Sequence, residues 1–186
     1  GKEAALFVAS GTMGNQVALK ALTQPGDEVI AEAGSHCYNF EGGGLAFNSG
    51  VQVRPLIRTR GVITAEQVEE AIRPENEHFP RTRVVVVENT HNQAGGTVFP
   101  LEEVVRIRQV AERHNLLMHL DGARLWNACA ATGLRPEDYA RHFDTVSVCL
   151  SKGLGAPVGS VLTGPADFIA EARKARKRLG GAMRQA

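Results

Sequence analysis

The stretch "RVVVVE", residues 83–88, decides the fold of this chain. Its four consecutive valines, Val84 to Val87, show no alternation between apolar and polar residues. A continuous β-branched run of this kind is typical of a strand that is covered on both faces, as in parallel sheets flanked by helices. The run therefore predicts an α/β protein with a buried central strand.

Strand and helix patterns alternate along the rest of the chain. Further strands are predicted for "EVIAE" (28–32), "VQVRPL" (51–56), "LLMHL" (116–120) and "TVSVCL" (145–150). Helices are predicted for residues 11–22, for 64–72 with a Thr64–Gln67 capping box, for 101–115 with Pro100 as the first helical residue, and for 165–179. This order predicts one domain over residues 1–186, a three-layer α/β/α fold with a mainly parallel sheet.

Composition excludes several classes of function. The net charge of +1 gives no general attraction to nucleic acid or to an anionic membrane, and no apolar run reaches the roughly 20 residues that span a bilayer. Three widely spaced cysteines, Cys37, Cys129 and Cys149, indicate reduced thiols in a cytosol rather than disulfides or a zinc site. The chain starts at Gly1 and ends in "GGAMRQA" just after a predicted helix, which we interpret as a piece of a longer protein.

Polar residues follow three of the predicted strands. They are found in "ENTHN" (88–92), "DGAR" (121–124) and "SKGLG" (151–155). In open α/β sheets ligands bind just outside the carboxyl ends of the strands. We therefore expect these three segments to form the functional site.

Lys152 and Asp121 are the strongest candidates at these strand ends. A desolvated lysine is a neutral amine that can form a Schiff base with a carbonyl, and Gly153 and Gly155 let the backbone approach a ligand closely. Asp121 could hold the protonated ring nitrogen of pyridoxal phosphate (PLP), whose aldehyde carbon a lysine carries. The alternatives are a solvated loop lysine and an aspartate that caps the following helix.

Five further residues complete the candidate set. Gly11 and Thr12 start a predicted helix, whose N-terminus can bind a phosphate. The full Gly-x-Gly-x-x-Gly pattern of a dinucleotide site is absent. His36 could lie on an aromatic cofactor ring, His91 could act as a base, and Arg124 could bind a carboxylate. The alternatives are two hydrogen-bonded structural histidines and a helix ion pair.

Together these segments resemble the low-specificity L-threonine aldolases, PLP enzymes of the aspartate aminotransferase-like fold (fold type I). The segments that carry the resemblance are "SGTMGNQVAL", "SHCYNFEGGG", "ENTHNQAGGTVFPLEEV", "HLDGARLWNA", "LSKGLGAPVGS" and "GGAMRQ". The resemblance extends over all 186 residues and implies the PLP-binding large domain of such an enzyme. Family members also carry an N-terminal segment with a substrate-binding serine and a C-terminal small domain with a further arginine, neither of which we find here.

The resemblance also implies a role for each cofactor-binding candidate. Lys152 would form the Schiff base with PLP, and Asp121 would pair with its ring nitrogen. His36 would stack on the ring, and Gly11 with Thr12 would hold the phosphate.

For the substrate, the resemblance implies cleavage of L-threonine or L-allo-threonine to glycine and an aldehyde. Arg124 would bind the substrate carboxylate beside the cofactor, and His91 would lie near the β-hydroxyl. Small amino acids would be the partners, with no nucleic acid, membrane or metal ion. The resemblance further implies a cytoplasmic homodimer or homotetramer with active sites at subunit interfaces.

Three other functions stay open at this point. Another PLP enzyme of the same fold, such as a β-eliminating lyase or a cysteine desulfurase, would use Lys152, Asp121 and His36 as well. A binding module could contact phosphates through "EARKARKRL" (171–179), although its helical spacing favours a solvated face. The chain could also be a folded core without catalytic activity.

Overall fold

The structure is a computed structural model that describes residues 1–184, and it places seven strands in a single sheet. The strands are β1 (Ala4–Val8), β2 (Glu28–Glu32), β3 (Gln52–Leu56), β4 (Thr82–Glu88), β5 (Leu117–Gly122), β6 (Thr145–Cys149) and β7 (Ser160–Gly164). The α-helices are α1 (Gly11–Leu22), α2 (His36–Asn39), α3 (Ala65–Ala71), α4 (Leu101–Arg113), α5 (Leu125–Thr132), α6 (Pro136–Ala140) and α7 (Ala166–Arg178). Gln185 and Ala186, the end of the "GGAMRQA" segment, lie outside the described residues.

The sheet is mainly parallel, as predicted. Its strand order is β1-β7-β6-β5-β4-β2-β3, and β7 runs antiparallel to both of its neighbours. The strands from β6 across to β3 pair in parallel. The carboxyl ends of β4, β5 and β6 therefore meet at the same edge of the sheet.

The valine run lies in the centre of this sheet and is buried on both faces. Val85 and Val87 pack into a cluster with Ile107 of α4, whereas Val84 and Val86 pack with Leu19 of α1. All four valines are almost fully buried. This arrangement confirms the three-layer α/β/α architecture that the run predicts.

Two strands were not predicted, and several helix boundaries differ from the predicted ones by one or two residues. β1 is an edge strand in which Leu6 and Val8 are buried, and β7 is a short strand that directly follows a glycine-containing loop. β1 is the short apolar run "AALFV", which was not recognised as a strand, whereas β7 ("SVLTG") has no continuous apolar run. Pro100 is the N-cap residue rather than the first residue of α4, since its ψ of 131° is extended.

The basic helix α7 exposes its charged face. Phe168, Ile169 and Ala172 are buried against the sheet, and the Lys174 ammonium pairs with the Glu171 carboxylate at 2.6 Å. This is the arrangement of a solvated amphipathic helix. No helix in residues 1–184 combines the length and the apolar character that crossing a membrane requires.

Candidate active site

A cavity of about 410 Å³ opens at the carboxyl ends of β5 and β6, next to the N-terminus of α1. Its size is within the range of small-molecule sites, about 300–1,000 Å³. Five of the seven predicted site residues line it, namely Gly11, Thr12, His36, Asp121 and Lys152. The structure thus brings together the two groups on which the PLP interpretation most depends, the lysine and the ring-binding acid.

Asp121 lies at the buried end of this cavity, with 3% of its surface exposed. Its Oδ2 accepts a hydrogen bond of 2.7 Å from the Asn15 amide, and its Oδ1 accepts one of 3.1 Å from the Ala123 backbone N–H. Each carboxylate oxygen of Asp121 therefore has one hydrogen-bond donor. An oxygen has two lone pairs, so Asp121 can accept one further hydrogen bond from a cofactor N–H.

Glu41 is a second buried carboxylate beside Asp121. Its Oε2 accepts a hydrogen bond of 2.6 Å from Gln16, and its Oε1 lies 2.8 Å from the Asn15 Nδ2 and 3.0 Å from the His36 Nδ1. Burial raises the pKa of Glu41, while the bonds from Gln16 and Asn15 oppose that rise. The Glu41 carboxylate thereby fixes the position of the His36 ring.

Glu88 holds the backbone on either side of the site. Its Oε2 accepts from the His36 N–H at 2.7 Å, and its Oε1 accepts from the Asn92 N–H at 2.9 Å. Burial and the nearby Asp121 carboxylate both raise the pKa of Glu88. Glu88 thus ties the segment that starts at His36 to the loop that follows β4.

The N-terminus of α1 forms another wall of the cavity. The Ser10 Oγ caps the helix by accepting from the Met13 N–H at 3.1 Å. The first N–H groups of a helix have no acceptor within it, so those of Gly11 and Thr12 can bind an anion. A Cβ at Gly11 would lie 2.9 Å from the Cys149 Sγ, so a glycine is needed for this close approach.

The loop with Lys152 is open to solvent. It joins β6 to β7 and is closed by hydrogen bonds from the Leu150 and Ser151 N–H groups to the Gly159 carbonyl, at 3.0 and 3.3 Å. Gly155 accepts the left-handed conformation that the turn requires, with φ of 69°. Within residues 1–184 the Lys152 amine has no hydrogen-bond or ion-pair partner.

His91 does not line the cavity. Its Nε2 bonds Glu32 at 2.8 Å, and its Nδ1 accepts from the Ala94 N–H at 3.3 Å, so both ring nitrogens are engaged in the described structure. The ring is almost fully buried and packs against Gly61, where a Cβ would lie 2.6 Å from it. This position results from the Glu32 contact, which the sequence does not indicate.

Arg124 also lies outside the cavity lining. It is the N-cap residue of α5 and is half-buried. No hydrogen bond or ion pair of its guanidinium is found in residues 1–184. Its nearness in sequence to Asp121 still places it beside the site.

Three polar residues around the cavity were not predicted to belong to it, Asn15, Glu41 and His119, and Glu88 lies in the predicted segment "ENTHN" but had no role assigned to it. Asn15 shares the buried side of α1 with Leu19, four residues further on, and His119 interrupts the apolar strand "LLMHL". A polar residue at a core position is a signal for a buried hydrogen-bond network. Glu41 gives no such signal, because it follows a short helix in a glycine-rich segment.

Comparison with known proteins places these features in a family. The chain matches the beta-eliminating lyase family over residues 1–186. It is 44% identical to low-specificity L-threonine aldolase 1 of Arabidopsis thaliana, covering 100% of this chain and 53% of that protein. The chain thus spans about half the length of the curated relatives it matches.

Solved structures agree with this placement. A threonine aldolase from Leishmania major superposes with a TM-score of 0.89 at 27% identity, covering 97% of this chain and 53% of that one. A mutant aspartate aminotransferase from Thermus thermophilus superposes with a TM-score of 0.70 at 20% identity, covering 95% and 48%, and shows the shared fold alone. Because the match to the family extends from the first residue to the last, the chain belongs to the beta-eliminating lyase family.

Proposed function

We propose that this chain forms the cofactor-binding part of a PLP-dependent lyase that cleaves L-threonine or L-allo-threonine to glycine and an aldehyde. The observation that carries the proposal is that Lys152 and Asp121 line the same cavity as the N-terminus of α1. The names of the relatives from Arabidopsis and Leishmania support this choice of reaction.

The residues of the cavity fit PLP in chemistry and in arrangement. The cofactor needs an amine for its aldehyde, an acid for its ring nitrogen and an anion site for its phosphate. Lys152, Asp121 and the first turn of α1 supply these groups, and all of them line one cavity. His36, which Glu41 holds at the cavity wall, supplies a flat ring for the aromatic face.

When bound, PLP accepts the electrons that are released as the Cα–Cβ bond of the amino acid breaks. Asp121 maintains the proton on the cofactor ring nitrogen, because a charged carboxylate favours that protonated form. Lys152 supplies the amine that holds the aldehyde and that can carry a proton to and from Cα. The α1 N-terminus fixes the phosphate, and the His36 ring covers one face.

Arg124 and His91 are proposed to act on the substrate. Arg124 would bind the substrate carboxylate, since it is a half-buried residue that closely follows Asp121 at the end of β5. His91 would receive the β-hydroxyl proton only after its ring leaves Glu32. His36, which lines the cavity, is the nearer base of the two. Comparing the kcat of His36→Asn and His91→Asn variants would decide between them.

A second candidate is a β-elimination on the same cofactor, as the name of the family suggests. Lys152 and Asp121 would have the same roles in both reactions. The products distinguish them, because aldol cleavage of threonine gives glycine and acetaldehyde whereas β-elimination of water from threonine gives 2-oxobutyrate and ammonia.

The experiment that tests the proposal has two steps. The purified protein is titrated with PLP while its visible absorbance is recorded, then reduced with borohydride and digested to map the labelled peptide. The proposal expects the label on Lys152 and, with threonine as substrate, glycine and acetaldehyde in equal amounts. A label on another lysine would overturn the site, and 2-oxobutyrate with ammonia as the products would overturn the reaction.

We further propose that the protein is a cytoplasmic homodimer or homotetramer. Light scattering of the purified protein measures the assembly, and cell fractionation measures the location. A monomer that binds PLP with full affinity would contradict the assembly.

A further inference from the structure

The Asn15 amide occupies the space between two buried carboxylates. One Nδ2 atom donates to the Asp121 Oδ2 at 2.7 Å and to the Glu41 Oε1 at 2.8 Å. Asn15 has 1% of its surface exposed, so no solvent competes for these bonds. Both protons of the amide nitrogen are therefore used on acids that belong to the proposed cofactor site.

This environment allows only one orientation of the Asn15 amide. A flipped amide would direct its oxygen at two carboxylate oxygens, and neither side would then have a proton to donate when the acids are charged. In the allowed orientation the Asn15 Oδ1 points to the Nε2 of His119, 3.1 Å away. An amide oxygen only accepts, so the His119 Nε2 must carry a proton.

The other nitrogen of His119 completes the chain of bonds. Its Nδ1 lies 2.8 Å from the Thr145 Oγ1, whose hydroxyl can donate to it. The ring is fully buried, and burial lowers the pKa of His119 to about 4, so it is neutral at pH 7. A neutral ring with its proton on Nε2 both donates to Asn15 and accepts from Thr145.

We infer that Asn15 is a positioning residue for the ring-binding carboxylate, held in one orientation by the Nε2–H tautomer of His119. The inference rests on the proposed function for the role of Asp121, while the tautomer and the amide orientation stand without it. Two neighbouring acids would otherwise repel each other at this site, and Asn15 holds both by donating one proton to each. The buried side chains of His119 in β5 and Thr145 in β6 thereby determine the position of the carboxylates in the cofactor site.

The first test needs no cofactor. Nitrogen-15 NMR of the histidine rings in the unloaded protein reports which nitrogen of His119 carries the proton. The inference expects a single tautomer with the proton on Nε2, and a change in that signal when Asn15 is replaced by leucine. A proton on Nδ1 would overturn it.

The second test uses matched variants at position 119 and PLP as the probe. Gln can place an N–H near the position of the histidine Nε2 and donate to Asn15, whereas Leu cannot. We expect His119→Leu to weaken PLP binding about tenfold, which corresponds to the loss of one hydrogen bond in this network. The PLP affinity of His119→Gln should stay within about threefold of that of the parent. His114→Gln, at an exposed histidine that pairs with Glu69, is the control and should bind PLP like the parent.

The outcomes separate this inference from the proposed function. Equal PLP affinities for the His119→Leu and His119→Gln variants would overturn the positioning role. Near-ultraviolet circular dichroism checks that both variants are folded, and the tautomer measurement on the parent remains decisive if either is not. Failure of the parent protein to form the Lys152 adduct would instead overturn the proposed function and leave the tautomer result intact.

Discussion

The two ends of the cavity are built in opposite ways. At one end Asp121 is buried and both of its oxygens accept hydrogen bonds, in a network that extends through Asn15 to His119. At the other end Lys152 lies in an exposed loop, and no partner of its amine is found in residues 1–184. The acid is thus held in place by the folded core, whereas the lysine depends on its ligand for a fixed position. Substitutions at the two ends should therefore separate stability from activity.

Replacing Lys152 with alanine should have the largest effect on activity. The covalent attachment of the cofactor is lost, so we expect kcat to fall by at least about 10³-fold. Because the side chain is exposed, the free energy of unfolding should change by no more than about 0.5 kcal/mol. Threonine turnover and urea unfolding measure the two quantities.

Lys174→Ala, at an exposed lysine of α7 that pairs with Glu171, is the control for the loss of one positive charge. It should leave both quantities unchanged. A Lys152→Ala protein that unfolds much more easily than the parent would contradict this difference between the two ends, since it would show that the loop also stabilises the fold.

Replacing Asp121 with asparagine should affect both activity and stability. The new amide directs an N–H at one of two donors, either the Asn15 amide or the Ala123 backbone N–H. Such a buried mismatch costs about 1–3 kcal/mol of unfolding free energy, and loss of the charge should lower kcat about 10²-fold. Urea unfolding and steady-state kinetics measure these effects. A variant as stable as the parent would mean that the hydrogen bonds of Asp121 to Asn15 and Ala123 contribute little to the stability of the fold.

Much of the fold could be predicted because apolar runs and capping residues within each segment indicate its secondary structure. The valine run of β4 indicates a strand buried on both faces, and Thr64 with Gln67 indicates the start of α3. β1 carries a local signal, the apolar run "AALFV", that the prediction did not use. Its position at the edge of the sheet depends on pairing with β7, a contact across more than 150 residues that neither segment indicates.

The sequence predicted those site residues whose type and position at a strand end together indicate a chemical role. Lys152 and Asp121 stand at strand ends, where the topology of the sheet brings them together. His91 has an equally suggestive position, yet its ring bonds to Glu32, which lies 59 residues earlier in the chain. The role of Glu41 likewise arises only from contacts made in the folded state. The roles of His91 and Glu41 are therefore determined by hydrogen bonds between residues that are far apart in the sequence.

The buried network should also make stability depend on pH. Burial lowers the pKa of His119 to about 4, below its ordinary value of 6.5. Between these values the unfolded chain binds a proton that the folded protein does not, so stability falls as the pH drops from 6.5 towards 4. The difference amounts to about 2 kcal/mol between pH 7 and pH 5.

Urea unfolding at a series of pH values tests this expectation with His119→Gln as the reference, because glutamine does not titrate. The parent should lose about 2 kcal/mol more than this variant between pH 7 and pH 5. Other acids of the site, such as Glu41 and Glu88, are present in both proteins and cancel in the difference. Parallel curves would show that His119 is not held neutral by the core.

The smallest expected effect comes from the N-terminal cap of α1, which lies in the cavity wall. The Ser10 Oγ accepts from the Met13 N–H in the cavity wall, and Thr64 caps α3 in the same way, in a helix whose residues do not line the cavity. Replacing either residue with alanine should cost about 1 kcal/mol of unfolding free energy. Only Ser10→Ala should also weaken PLP binding, by about threefold, since it loosens the first turn that is proposed to bind the phosphate. Equal PLP affinity in both variants would show that the phosphate does not use this turn, and the cofactor would then have to be held from the acid end alone.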